Sequence, residues 1–81
     1  MSQLVKKLAR LRDARHDAGW DFSELCLLLQ KLGFEMRVHG SHHFFRRPGA
    51  AGIINLQPRG RQAKPYQVRQ ARAVLQQLGM L

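Results

Sequence analysis

The spacing of hydrophobic positions switches from helical to alternating and back to helical along the chain. Leu4, Val5, Leu8 and Leu11 recur on one stripe and Gly19 supplies a stop, so a first helix is expected over residues 2–18. Asp21 followed three residues on by Glu24 is a capping-box pattern, and it opens a second helix with Leu25, Leu28, Leu29 and Leu32 on its stripe. Gly33 suits the left-handed residue that closes such a helix. The period then drops to two, with Phe34, Met36 and Val38 alternating with Glu35, Arg37 and His39. Gly40-Ser41 fits a two-residue hairpin turn, and a second strand runs from His42 to about Arg47. Residues 48–52 read as a loop, residues 53–57 as a third strand and residues 58–64 as a basic loop. Pro65 stands at the first position of a last helix, whose buried stripe is Val68, Ala71, Leu75 and Leu78 and whose end is Gly79.

This order predicts an α+β fold: helix, helix, three-stranded antiparallel meander, helix, with the helices on one face of the sheet. The 81 residues make a single domain. A chain of this size buries only about 60% of the surface its unfolded form exposes, which is one thin core. A turn at Gly40-Ser41 sets the hairpin register. His39 opposes His42, Val38 opposes His43, Arg37 opposes Phe44 and Met36 opposes Phe45. One face then carries Phe34, Met36, Val38, His43 and Phe45 and packs on the helices. The other carries Glu35, Arg37, His39, His42, Phe44 and Arg46 and stays open, with an aromatic ring that offers a base a stacking platform.

Charge sharpens that picture. Fourteen Lys and Arg against five Asp and Glu give a net +9. All five acids (Asp13, Asp17, Asp21, Glu24, Glu35) precede residue 36, and from there on only bases occur: Arg37, Arg46, Arg47, Arg59, Arg61, Lys64, Arg69 and Arg72. A wholly basic half implies a polyanionic partner, whereas a merely solubilising surface mixes both signs. No apolar run approaches the roughly 18 residues of a membrane span, and no signal-type apolar core follows the basic start, so a cytoplasmic protein with no membrane partner is expected. Cys26, the single cysteine, lies among leucines and is expected to be packed and inert.

Cleaving RNA requires one group to take the 2′-hydroxyl proton, another to protonate the leaving oxygen, and positive charge about the phosphorus. Histidine is the natural proton carrier near neutral pH, and arginine or lysine can offset the developing charge. The open face offers both. It carries Glu35 as its one carboxylate, too few to hold Mg²⁺, so neither a metal nor another cofactor is expected. Zinc binding by His39, His42 and His43 is disfavoured because neighbouring strand residues point to opposite faces. His42 is therefore the catalytic candidate, with His39 as a possible second proton carrier and His43 at the core edge. Taken alone, Gly-Ser-His-His specifies little, since an exposed histidine is more often plain surface. Arg37, Phe44 and Arg46 are candidates for RNA binding on the face itself. Arg59, Arg61 and Lys64 are candidates beyond it, with Lys64 at the start of the last helix, where the dipole favours an anion.

The segments Phe22-Ser-Glu-Leu, Leu32-Gly33-Phe34, residues 40–48 (Gly-Ser-His-His-Phe-Phe-Arg-Arg-Pro) and Lys64-Pro65, in that order, resemble the HicA toxin family. The resemblance covers residues 21–79 and leaves residues 1–19 as an extra N-terminal helix. Ile54-Asn55-Leu56-Gln57-Pro58 with residues 64–70 looks like a longer-headed branch of that family. The resemblance implies a fold like a double-stranded-RNA-binding domain, a metal-independent endoribonuclease acting on mRNA, and a HicB-like antitoxin as protein partner. It places the family's catalytic histidine, which follows the Gly-Ser pair, on His42. Many members carry a further histidine after the third-strand proline, where this chain has Arg59. The antitoxin is expected to present acidic groups to Arg37, His42 and Arg46. Two rival readings stand beside the ribonuclease: a non-catalytic RNA-binding module using the same face, and a DNA-binding regulator. The second lacks a helix-turn-helix pair with a basic recognition helix.

Overall fold

The computed structural model describes residues 3–50 and 52–81. Its elements run α1 (Gln3–Arg12), a 3-10 turn (Ala14–His16), α2 (Phe22–Lys31), β1 (Glu35–His39), β2 (His42–Arg46), β3 (Ile54–Leu56), β4 (Pro58–Arg59), β5 (Gln62–Ala63) and α3 (Pro65–Gln77). Strands β1, β2 and β3 form one antiparallel sheet in that order, and β4 pairs with β5 in a separate hairpin. The fold is α+β with the expected order of helices and sheet strands.

The main hairpin has the register that the turn dictates, from His39 opposite His42 through Met36 opposite Phe45 to Glu35 opposite Arg46. Gly40 takes φ +60, the left-handed conformation that a side chain rarely adopts and a tight turn requires. On the helix side of the sheet, Phe45, Ile54 and Leu56 are completely buried against Leu25, Leu29, Val68, Ala71 and Leu75 of the helices. Val38 departs from expectation. It points to the helix side yet is 49% exposed, because β1 is an edge strand and the helices do not cover its far end.

Helix α2 begins and ends as the sequence requires. The Asp21 carboxylate accepts a hydrogen bond from the Glu24 amide at 3.1 Å. At the other end the Gly33 amide donates to the Gln30 carbonyl and the Phe34 amide to the Leu29 carbonyl, the paired bonds of a Schellman closure. Gly33 has φ +95, and a Cβ there would stand 3.2 Å from the Arg47 guanidinium nitrogen Nε, which donates to the Leu32 carbonyl. Arg47, one residue past the end of β2, thus caps α2, and Gly33 makes room for it.

Two stretches differ from expectation. The first helix ends at Arg12 rather than running to residue 18; of the expected span, residue 2 lies outside the described residues. Asp13 takes an extended conformation and its carboxylate accepts from the Arg15 amide at 3.0 Å, so a new turn starts where the helix would have continued. The apolar stripe also weakens there, since only the small Ala14 and Ala18 follow Leu11 at helical spacing. The second difference is the basic loop at residues 58–64, which folds into the β4–β5 hairpin. Its outer strand pairs with the chain ahead of α2: the Phe22 amide donates to the Arg61 carbonyl at 2.8 Å and the Ala63 amide to the Trp20 carbonyl at 2.9 Å. Those bonds settle backbone groups of residues 20–22 that no helix or sheet would otherwise take.

The N-terminal segment is built into the core. Leu11 and Trp20 are completely buried, and Leu4 and Leu8 pack against them. Trp20 and Leu25 occupy the two positions of a hydrophobic staple around the Asp21 cap. Arg10 covers the Trp20 ring at 4.4 Å and donates to the Gly19 carbonyl. Arg72 of α3 donates to the Leu11 carbonyl at 2.8 Å and pairs with the buried Asp17 carboxylate, which Arg69 also approaches at 3.8 Å. Cys26 is buried as expected, and that burial, with the nearby Asp21 charge adding to it, pushes its thiol up to about 11.

Candidate functional site

Strand alternation sets the site. With Phe45, Ile54 and Leu56 turned into the core, their neighbours on the same strands must point the other way. Arg37, His39, His42 and Arg46 are all exposed on the open face, and Phe44 lies half-buried at its centre, less exposed than the alternation alone suggests. The Phe44 ring stands between the two histidines. It is 6.1 Å from the His42 ring centre, nearly parallel at 20°, and 6.2 Å from that of His39 at 70°. His39 and His42 face each other across the hairpin as Cα partners.

The turn that carries His42 is held from both sides. The Gln57 side-chain amide, just past the end of β3, donates to the Ser41 hydroxyl at 3.0 Å. His43 Nδ1 donates to the Ser41 carbonyl at 3.2 Å, and its ring meets Phe22 edge-on at 4.7 Å. His43 therefore sits at the core edge and stiffens the residue before His42. A proton carrier gains from such fixing, because its rate depends on held geometry.

The basic side chains separate into two groups. Arg10, Arg15, Arg47, Arg69 and Arg72 are engaged with carboxylates, carbonyls or the Trp20 ring. The Arg15 guanidinium grips Asp13 through three hydrogen bonds and holds that carboxyl well below its usual range. By contrast Arg37, Arg46, Arg59, Arg61 and Lys64 have no ion pair among the described residues. Arg37 and Arg46 belong to the open face. Arg59 and Arg61 flank Gly60 at the tip of the β4–β5 hairpin, which the chain enters directly after Gln57. Lys64 is the residue that precedes α3. Its helix end is poorer in donors than expected, since Pro65 has no N–H and the amides of Gln67 and Val68 bond to the Lys64 carbonyl. An anion there would rest mainly on the Lys64 charge.

Some contributors escaped the sequence reading. Ile53, 47% exposed, joins Arg37, His39, Phe44 and Arg46 around an open groove of about 450 Å³ on this face. Asn55 is exposed on β3 directly opposite Phe44. Both follow from the alternation that buries Ile54 and Leu56, once β3 is extended outward. No three His, Cys, Asp or Glu side chains converge on a metal position among the described residues.

Fold and face together define a small basic α+β protein that keeps one sheet face open around two histidines, an aromatic ring and two arginines with no ion pair among the described residues. Compared with protein-family models, residues 22–80 match the family described as HicA toxin of bacterial toxin-antitoxin. The match takes in most of the chain, and the chain belongs to the HicA toxin family. It is accordingly the toxin of a toxin-antitoxin system, with an antitoxin as its protein partner. Neither the curated proteins nor the solved structures yield a match. The family match starts at Phe22, so α1, the 3-10 turn and Trp20 lie outside it, while Leu11 of α1 and Trp20 supply part of the core.

Proposed function

We propose that this toxin is an endoribonuclease that cleaves mRNA in the cytoplasm without a metal ion, using His42 to move protons. The observation that carries the reading is the position of His42: exposed on the cation-bearing sheet face, next to a turn clamped by Gln57 and His43. In this reading the 2′-oxygen attacks the adjacent phosphorus as its proton passes to a histidine, and the bond to the 5′-oxygen breaks as that oxygen takes up a proton. His42 serves one of these transfers. His39, its partner across the hairpin, is the candidate for the other. General acid–base help of this kind is worth about 10²–10⁴-fold in rate. Arg37 and Arg46 offset charge on the phosphoryl oxygens, and Arg59, Arg61 and Lys64 hold more distant phosphates.

A metal-assisted route has little support from the donor set, as Glu35 is the one carboxylate on the face and lies opposite Arg46. The second reading, a non-catalytic RNA-binding module, uses the same cations without proton transfer. Incubating the purified protein with a long RNA in EDTA separates them. Cleavage that persists in EDTA is the expected outcome. RNA that is bound but left intact would favour the binding module, and cleavage restored by Mg²⁺ alone would contradict the mechanism.

A further inference from the structure

We infer that the groove beside His42 is a site for one unpaired nucleobase, so that the RNA must be single-stranded where it is cut. The inference rests on the ribonuclease reading and names the substrate class that reading leaves open. The groove of about 450 Å³ is lined by Phe44 of the central strand, by His39 of β1 and by Ile53 just ahead of β3, and His42, which does not line it, adjoins it through Phe44. Arg37 and Arg46 stand at its margins with no ion pair among the described residues. An apolar lining with cations at the rim suits a flat aromatic group attached to a phosphate on either side, which is the chemistry of a nucleotide within a strand.

A duplex cannot use this feature. Paired bases hide their faces in the stack and offer only edges, sugars and phosphates, whereas Phe44 is half-buried and reaches only what comes down into the groove. The ring centres of Phe44 and His42 are 6.1 Å apart. A base on Phe44 thus leaves its own sugar–phosphate linkage near His42, and the subsite acts as the positioning element for cleavage.

The test uses the protein bearing His42→Ala, so that RNA persists, and a short RNA with a fluorescent adenine analogue, once as a single strand and once within a hairpin stem. The expected result is quenching of the single strand alone. Adding Phe44→Leu should weaken single-strand binding about tenfold or more and remove the quenching, with the salt dependence unchanged. Phe44→Trp, which keeps an aromatic face, should retain both, and this guards against loss through misfolding. Equal quenching of stem and strand, or a Phe44→Leu protein that binds and quenches like its parent, overturns the subsite. Cleavage by the protein with His42 intact is scored separately. Quenching without any cleavage supports the subsite while removing the nuclease reading; cleavage without quenching removes the subsite and leaves the nuclease.

Discussion

The side of the molecule where α1 meets α3 and the open face of the sheet are both rich in arginine, yet their arginines do opposite things. Between α1 and α3, Arg72 and Arg69 converge on Asp17, Arg10 lies over Trp20, and Arg15 holds Asp13. On the sheet, Arg37 and Arg46 make no ion pair among the described residues, although Glu35 is the Cα partner of Arg46. Even neighbours divide: Arg46 makes no ion pair among the described residues, while Arg47, just past the strand, caps α2. The acids that crowd the first half of the sequence neutralise arginines across the fold. Of the bases that make no ion pair among the described residues, Arg37, Arg46, Arg59, Arg61 and Lys64 gather on the open sheet face, at the β4–β5 tip and ahead of α3.

That division predicts substitutions with contrasting readouts. The largest stability loss is expected from Arg72→Met, because it leaves the Asp17 carboxylate, only 11% exposed, with the more distant Arg69 at 3.8 Å as its cation. Breaking one half of a buried pair costs about 3–5 kcal/mol, a large share of a small domain's total, so the denaturant midpoint should fall sharply. RNA affinity of the folded fraction should stay as it was. An unchanged midpoint with weakened RNA binding would erase the distinction between the two regions. The reverse pattern is expected for Arg37→Gln with Arg46→Gln. Stability should move by no more than about 0.5 kcal/mol, while the slope of log affinity against log salt falls by about 1.4, or 0.7 for each phosphate contact to a single strand. Lys64→Ala should lower that slope by about half as much, and a slope unmoved by all three would put the phosphate contacts elsewhere. The smallest effect concerns Cys26. Its thiol ordinarily ionises near 9.0 and is pushed up to about 11 in the fold, so the folded state keeps its proton where the unfolded chain loses it. The resulting contribution to stability is complete below pH 9.0 and is lost as pH rises towards 11. Alkylation of Cys26 near neutral pH should accordingly be slow in the native protein and fast after unfolding.

Much of this molecule could be read from residue order because its strongest signals are local. The Asp21 cap, the Gly33 closure, the Gly40 turn and the alternation of β1 and β2 are each decided within a few residues, and together they put His42 on the open face. What stayed hidden depends on contacts distant in sequence. Arg72 reaches Leu11 and Asp17 across more than half the chain, and the hairpin at residues 58–64 exists because residues 20–22 accept its outer strand. Asp13 breaks the first helix by a local bond that the apolar stripe does not record. Trp20 had a readable signal, a large apolar residue just ahead of a helix cap, which is the staple position. The hydrophobic pattern puts Ile53 in a strand, but its place in the groove emerges only when β3 pairs beside Phe44.

The most direct test of the account is single-turnover cleavage of a bound RNA by the protein and by its His42→Ala variant, with RNA affinity and its salt slope measured alongside. The account predicts that His42→Ala keeps affinity and slope and loses cleavage by about 10²-fold or more. A variant that cleaves bound RNA at the parent rate would contradict it, because His42 would then not be the proton-transferring group.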